Sequence, residues 1–170
     1  MPLALATLNQ MSREDFVKAV GWVFEGSPWV AEQVWVTRPW SSVGVLHRAM
    51  CEMVERAPVA AKLTLIRAHP DLGSRAKMAE ASVIEQKGAG LDSLSPDEYE
   101  QIQNLNQRYT AKFGFPFIFA VKGKTKLEVL AAMHRRMAHS RADELEEALG
   151  QIYQIARLRL SDSLEGGFSS

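Results

Sequence analysis

Signals that start and stop helices punctuate almost the whole chain, and they limit its fold more than any other feature. Ser12 with Asp15, Thr125 with Glu128 and Ser140 with Asp143 each place a hydroxyl three residues ahead of a carboxylate, the spacing of a helix capping box. Ser27–Pro28 and Ser95–Pro96 pair an N-cap with proline at the first helical position, and Asp97 and Glu98 suit the positive end of the helix dipole. Gly26, Pro39, Pro58 and Gly114 stand where helices stop. Between these marks apolar residues recur with helical period: Phe16, Ala19, Val20, Val23 and Phe24, then Leu46, Met50, Met53 and Val54, and later Leu145, Leu149, Ile152, Ile155 and Ala156. Helices are therefore expected over 12–26, 27–38, 41–57, 59–68, 95–113, 125–139 and 140–160, with one or two short ones in 75–86 and a loop over 87–94.

One run, "FPFIFAV", looks β-like, and a single short run cannot make a sheet. Pro116 disfavours helix at Phe115, so Phe115–Val121 is expected to be extended. The fold class that follows is all-α, a single-domain bundle of about seven to nine helices. The domain is expected to fill 1–170, with a flexible C-terminal tail from about 162. No internal repeat or low-complexity linker divides it.

Composition narrows the function classes. Lys plus Arg number 20 and Asp plus Glu 20, so no net field attracts nucleic acid or an anionic membrane. Apolar residues at 46% fit a soluble globular chain, and no apolar run approaches the ~20 residues of a membrane span. Cys51 is the only cysteine, which rules out an internal disulfide and suits a reducing cytosol. The N-terminus has no basic region ahead of its short apolar run and makes a poor signal peptide, so the expected setting is cytoplasmic.

Two familiar motifs fail. "VKGKT" resembles the end of a phosphate-binding loop, but Ile118 stands where that loop needs glycine. His134 and His139 are five apart, about 500° around a helix, whereas zinc-binding helices use a spacing of four. Both are expected to face solvent near helix ends. The four tryptophans fit core or dimer contacts better than a stacking platform.

Other positions carry candidate chemistry. In "RAHPDLG", His69 ends a helical pattern and Pro70 fixes the backbone after it; the turn is either a polar stop or a mount for an acid/base imidazole. At 100° per residue Arg159 falls between Ile155 and Ile152, on the apolar stripe of the last helix, and a guanidinium there needs an anion. A structural carboxylate or a substrate would both serve. Glu85, three residues after Ser82, is either the end of another capping box or a carboxylate able to orient a histidine, accept a substrate N–H or exchange a proton. The extended Phe115–Val121 leaves backbone amides needing partners, from the protein or from a planar, amide-rich ligand.

Taken together, "HPDLG", "SVIEQKGAGL", "FGFPFIFAVKG" and "IARLRL" resemble the 2-oxo-4-hydroxy-4-carboxy-5-ureidoimidazoline (OHCU) decarboxylase family, in family order from about Phe16 to Leu160. The resemblance implies an all-helical, cofactor-independent and metal-independent carboxy-lyase, usually a homodimer, that converts OHCU to (S)-allantoin and carbon dioxide in urate breakdown. It implies catalytic roles for His69, Glu85 and Arg159. It implies substrate contacts for Pro70, Ser82, Gln86, Phe117, Ile118, Phe119, Ala120 and Val121, and a functional coupling to the upstream hydroxyisourate hydrolase. The segment between His69 and Ser82 is shorter than in many relatives. Two rival readings are a metal-dependent hydrolase built on His69 and Asp71, and a helical interaction module without catalysis.

Overall fold

A computed structural model describes residues 1–74 and 78–168. Among the described residues nine α-helices and two 3-10 turns are present, and the only β feature is an isolated bridge between Leu3 and Leu164. The helices are α1 (Leu5–Gln10), α2 (Arg13–Val20), α3 (Trp29–Val34), α4 (Val43–Glu55), α5 (Val59–Arg67), α6 (Glu80–Gly88), α7 (Pro96–Phe113), α8 (Lys126–Arg136) and α9 (Arg141–Ser163). The all-α class read from the helix signals is the class observed.

Capping explains most boundaries. Ser12, Ser42, Ser95 and Thr125 each accept the backbone N–H three residues on. Ser140 does the same for Asp143 at 3.1 Å. Ser95 and Glu98 form the full reciprocal box. Gly114 closes α7 with φ +81°, a left-handed cap that costs a Cβ-bearing residue far more than glycine. Two caps differ from expectation. Pro28 rather than Ser27 caps α3, because the Ser27 hydroxyl donates to the Glu25 carbonyl at 3.0 Å. Ser82 lies inside α6, whose N-cap is Ala79, so the Ser82–Glu85 capping box does not form. The first expected helix is also shorter: α2 stops at Val20 and tightens into a 3-10 turn over Gly21–Val23. The expected helical stretch from residue 75 falls partly on 75–77, outside the described residues.

The chain divides into two compact units, Met1–Ala68 with everything from Tyr153 onward, and His69–Ile152. In the first, Leu8, Phe16, Val20, Val30, Val34, Leu46, Met50 and Val54 are fully buried. Phe16 stacks on Trp40 at 5.0 Å between ring centroids. The end of the chain is tied into this unit: the Leu3 N–H donates to the Ser163 carbonyl and the Glu165 N–H to the Leu3 carbonyl, both at 2.9 Å. Phe168 meets His47 edge-on at 5.6 Å. The stretch expected to be a tail from about 162 is helical to Ser163; beyond it Leu164 is buried and the Phe168 ring lies against His47 and Arg157.

In the mid-chain unit the core is aromatic. Tyr109 and Phe113 of α7 pack against Phe115 and Phe117, with Val129 and Met133 of α8 buried nearby in sequence order. Phe115 to Val121 is free of helix, as Pro116 required.

Candidate active site

His69 is the first residue after the α5 cap Ala68 and is 8% exposed. Pro70 to Ser74 form the turn expected from "HPDLG", with the Ser74 N–H reaching the Asp71 carbonyl at 3.3 Å. Gly73 has φ +69°, and a Cβ there would stand 3.1 Å from Leu94 Cδ1 and 3.2 Å from Ile102 Cγ2. The positive φ favours glycine at this point, and a Cβ would need Leu94 and Ile102 to give way by a few tenths of an ångström. Burial raises the Asp71 carboxyl above its ordinary range.

Helix α6 is inverted with respect to solvent. Ser82 and Gln86, four residues apart on one face, are each 5% exposed, while Val83 and Ile84 are 44% and 63% exposed. Glu85 sits half-buried at the edge of the inward face. A helix that buries Ser82 and Gln86 while leaving Val83 and Ile84 exposed is not placed by core packing alone, since a buried polar group needs a specific partner. One partner is the His69 turn itself: the Gly73 N–H donates to Gln86 Oε1 at 2.9 Å. Among the described residues the Gln86 amide nitrogen meets the Met78 sulfur, a weak acceptor, at 3.3 Å.

Phe117, Ile118, Ala120 and Val121 are buried and Phe119 is partly exposed. Two backbone groups of this stretch are met by side chains of its own unit. The Ala120 N–H donates to Gln151 Oε1 at 2.9 Å, and Arg136 Nη1 donates to the Ile118 carbonyl. Arg136 also lies 4.3 Å above the Phe117 ring, a cation–π contact. His69, Pro70, Ser82, Glu85, Gln86 and 117–121 therefore all belong to the mid-chain unit.

Arg159 belongs to the other unit, where it is 5% exposed, as the helical period required. Its Nη1 pairs with Glu25 Oε2 at 2.8 Å and approaches the Trp22 and Val23 carbonyls at 3.3 and 3.4 Å. The anion demanded by a buried guanidinium is thus at least partly Glu25, a residue the sequence reading did not single out.

The larger omission is a buried charged cluster in the mid-chain unit. Arg136 and Glu144 are both fully buried, joined through Nε (3.0 and 3.1 Å) and Nη2 (2.8 Å). Tyr109 Oη donates to Glu144 Oε2, and His139 Nδ1 lies 2.9 Å from Glu144 Oε1. His139, expected to face solvent, is instead bound to this carboxylate. Burial alone would raise the Glu144 carboxyl; the hydrogen bonds from Arg136 and Tyr109 overcome it and hold the group below its ordinary range. The signal was available: Arg136 continues the buried face of Val129, Ala132 and Met133, just as Arg159 continues that of α9.

Among the described residues no three His, Cys, Asp or Glu side chains cluster as metal ligands would. No helix of the described residues is long and apolar enough to cross a membrane. A cavity of about 350 Å³ beside Trp29, Met53, Arg56 and Pro58 contains none of the candidate catalytic or substrate-binding residues.

Comparison with known proteins gives the motifs a context. The family model described as OHCU decarboxylase matches residues 9–161. A 2-oxo-4-hydroxy-4-carboxy-5-ureidoimidazoline decarboxylase of Halalkalicoccus jeotgali is 48% identical over 94% of this chain and 91% of its own length. A uric acid degradation bifunctional protein of Bacillus subtilis is 45% identical over 91% of this chain, which spans 31% of that protein. A crystal structure of an OHCU decarboxylase in the presence of (S)-allantoin superposes with a TM-score of 0.68 at 28% identity, covering 82% of this chain and 93% of the other.

Proposed function

The chain belongs to the OHCU decarboxylase family, and on that premise we propose that His69 is the acid/base of an OHCU decarboxylation leading to (S)-allantoin and carbon dioxide. The activity is that of a carboxy-lyase of urate degradation. The observation that carries the site is the inverted face of α6, which buries Ser82 and Gln86 and ties Gln86 to the turn behind His69.

The chemistry suits such a site. OHCU bears a carboxylate and a hydroxyl on one ring carbon, beside an imine carbon that carries the ureido group. As the bond to the carboxylate breaks, its electron pair moves into the neighbouring C=N, and carbon dioxide leaves. The substrate is its own electron sink, so the reaction calls for no electron-accepting cofactor. The enol-like intermediate becomes a ring amide as its hydroxyl gives up a proton and the ureido-bearing carbon takes one on one face, which sets the handedness of allantoin.

In this proposal His69 bonds the hydroxyl and carboxylate region and exchanges the proton. Glu85 orients His69 or takes the ureido N–H groups, and Arg159 binds anionic charge. Ser82, the Gln86 amide nitrogen, the Pro70 backbone and the groups of Phe117, Ile118, Phe119, Ala120 and Val121 bind the ring and ureido amides, with the phenylalanines excluding water. Homodimer assembly, independence of metal and cofactor and a cytoplasmic setting come with the motif resemblance and are part of the same proposal. So is coupling to the hydroxyisourate hydrolase that precedes this step, supported by the bifunctional Bacillus relative.

The site is tested with H69N and H69A on freshly generated OHCU. Both are expected to lose turnover while keeping helicity and melting temperature near wild type. Wild-type turnover from either variant rejects the assignment of His69.

A further inference from the structure

The turn behind His69 carries no regular secondary structure, and side-chain amides from two helices fix its backbone. Gln86 of α6 takes the Gly73 N–H at 2.9 Å. From α7, Asn106 Nδ2 donates to the Leu72 carbonyl at 2.9 Å and Gln103 Nε2 to the Gly73 carbonyl at 3.4 Å. Asn106 is 3% exposed, and its Oδ1 meets no donor among the described residues. A buried amide with one orphaned acceptor is an expensive way to fill space in α7, where the neighbouring inward positions are Ile102, Leu105 and Tyr109. Leucine would fill the volume without the orphan.

We propose that Asn106 is a positioning residue for His69, holding the Leu72 carbonyl so that the Pro70–Gly73 turn presents the imidazole at one fixed place. The inference rests on the reading of His69 as the acid/base. The geometry explains why an amide stands at this position: among the described residues it is used through its donated Nδ2–H, and what it holds is the chain three residues beyond His69. Gln86 and Gln103 grip the next residue from both sides, so Leu72 and Gly73 are pinned at three points. A displacement of about 1 Å in a reacting group costs on the order of a hundredfold in rate. Three amides directed at two consecutive residues suppress that displacement.

The test compares wild type, N106L, N106D and H69N in steady-state turnover of freshly generated OHCU, with thermal melts of each. N106L keeps the volume and removes the donor; its kcat is expected to fall roughly tenfold to a hundredfold with KM within about twofold. N106D removes the donor with almost no change of shape, and decides the question should N106L fail to fold. A folded variant of either kind with wild-type kcat overturns the inference. A rise in KM at unchanged kcat also overturns it, since that would make Asn106 a substrate ligand. If H69N is inactive and the Asn106 variants are normal, only the positioning role falls. If H69N is active, the reading of His69 falls and this inference with it.

Discussion

Arg136 and Glu144 face each other in a setting that excludes solvent from both, and the same guanidinium reaches the Ile118 carbonyl. The stretch assigned to substrate is therefore anchored to a buried ion pair. Removing one partner of such a pair leaves an uncompensated charge. R136M is expected to destabilise the fold by about 3–5 kcal/mol, measured by urea unfolding. Y109F, which only removes the hydroxyl from Glu144, is expected to cost about 1.5–3 kcal/mol. A loss below about 0.5 kcal/mol for R136M would show the pair to be dispensable.

The second buried pair joins Glu25 and Arg159. E25A is expected to destabilise by about 3–5 kcal/mol for the same physical reason. E25Q keeps a hydrogen-bond acceptor without the charge and is expected to be milder. Because Arg159 is assigned to anionic charge, R159K is expected to raise KM: a point charge does not reproduce the planar fork. An unchanged KM in R159K would make the residue structural.

Acid should weaken the fold in two steps. Burial lowers the pKa of His47, whose Nε2 lies 2.8 Å from the Tyr153 carbonyl. A base with a lowered folded pKa binds fewer protons folded than unfolded, so its contribution is whole above about pH 6.5 and is lost as pH falls below it. Glu144, held below its ordinary range, keeps its contribution above the usual carboxylate pKa and loses it as pH falls through the folded value. Unfolding free energy measured from pH 8 to pH 3 is expected to decline first below about pH 6.5 and then in the carboxylate range. In H47Q the first decline should disappear.

Cys51 should be an unreactive thiol. Burial, reinforced by the Glu55 carboxylate, pushes its pKa up to about 12. The thiolate is the nucleophile, so alkylation by iodoacetamide at pH 8 is expected to be far slower than for an unfolded control. Equal rates would contradict the burial of the sulfur.

Most of the helices were legible in the sequence because they begin with local chemistry; α1 (Leu5–Gln10), whose cap Ala4 offers no side-chain acceptor, was not. Ser12, Ser95, Thr125 and Ser140 can be read without knowing what lies across the core. Ser27 and Ser82 could not, since the Ser27 hydroxyl donates back to the Glu25 carbonyl and Ser82 stands inside α6 and not at its start. Arg159 was legible because it continues an apolar stripe. Arg136 and Glu144 were not singled out because they stand in "HRRMAH" and "DELEE", where neighbouring charges suggest a solvated face. Yet Glu144 stands four residues before the buried Ala148 on α9, a helix that also carries buried Arg159. Period, and not local charge density, separates such residues from their exposed neighbours. Asn106 was beyond reach of either argument, because its role depends on a carbonyl 34 positions away in the chain.

Product handedness tests the central claim most directly. OHCU decays to allantoin without an enzyme, so the disappearance of substrate alone is not enough. Circular dichroism of allantoin forming from freshly generated OHCU, with catalytic amounts of this protein, reads rate and stereochemistry together. The expected result is a signal of (S)-allantoin that rises faster than spontaneous decay, with release of carbon dioxide, unchanged by a chelator. Allantoin formed without optical activity at the spontaneous rate would contradict the account.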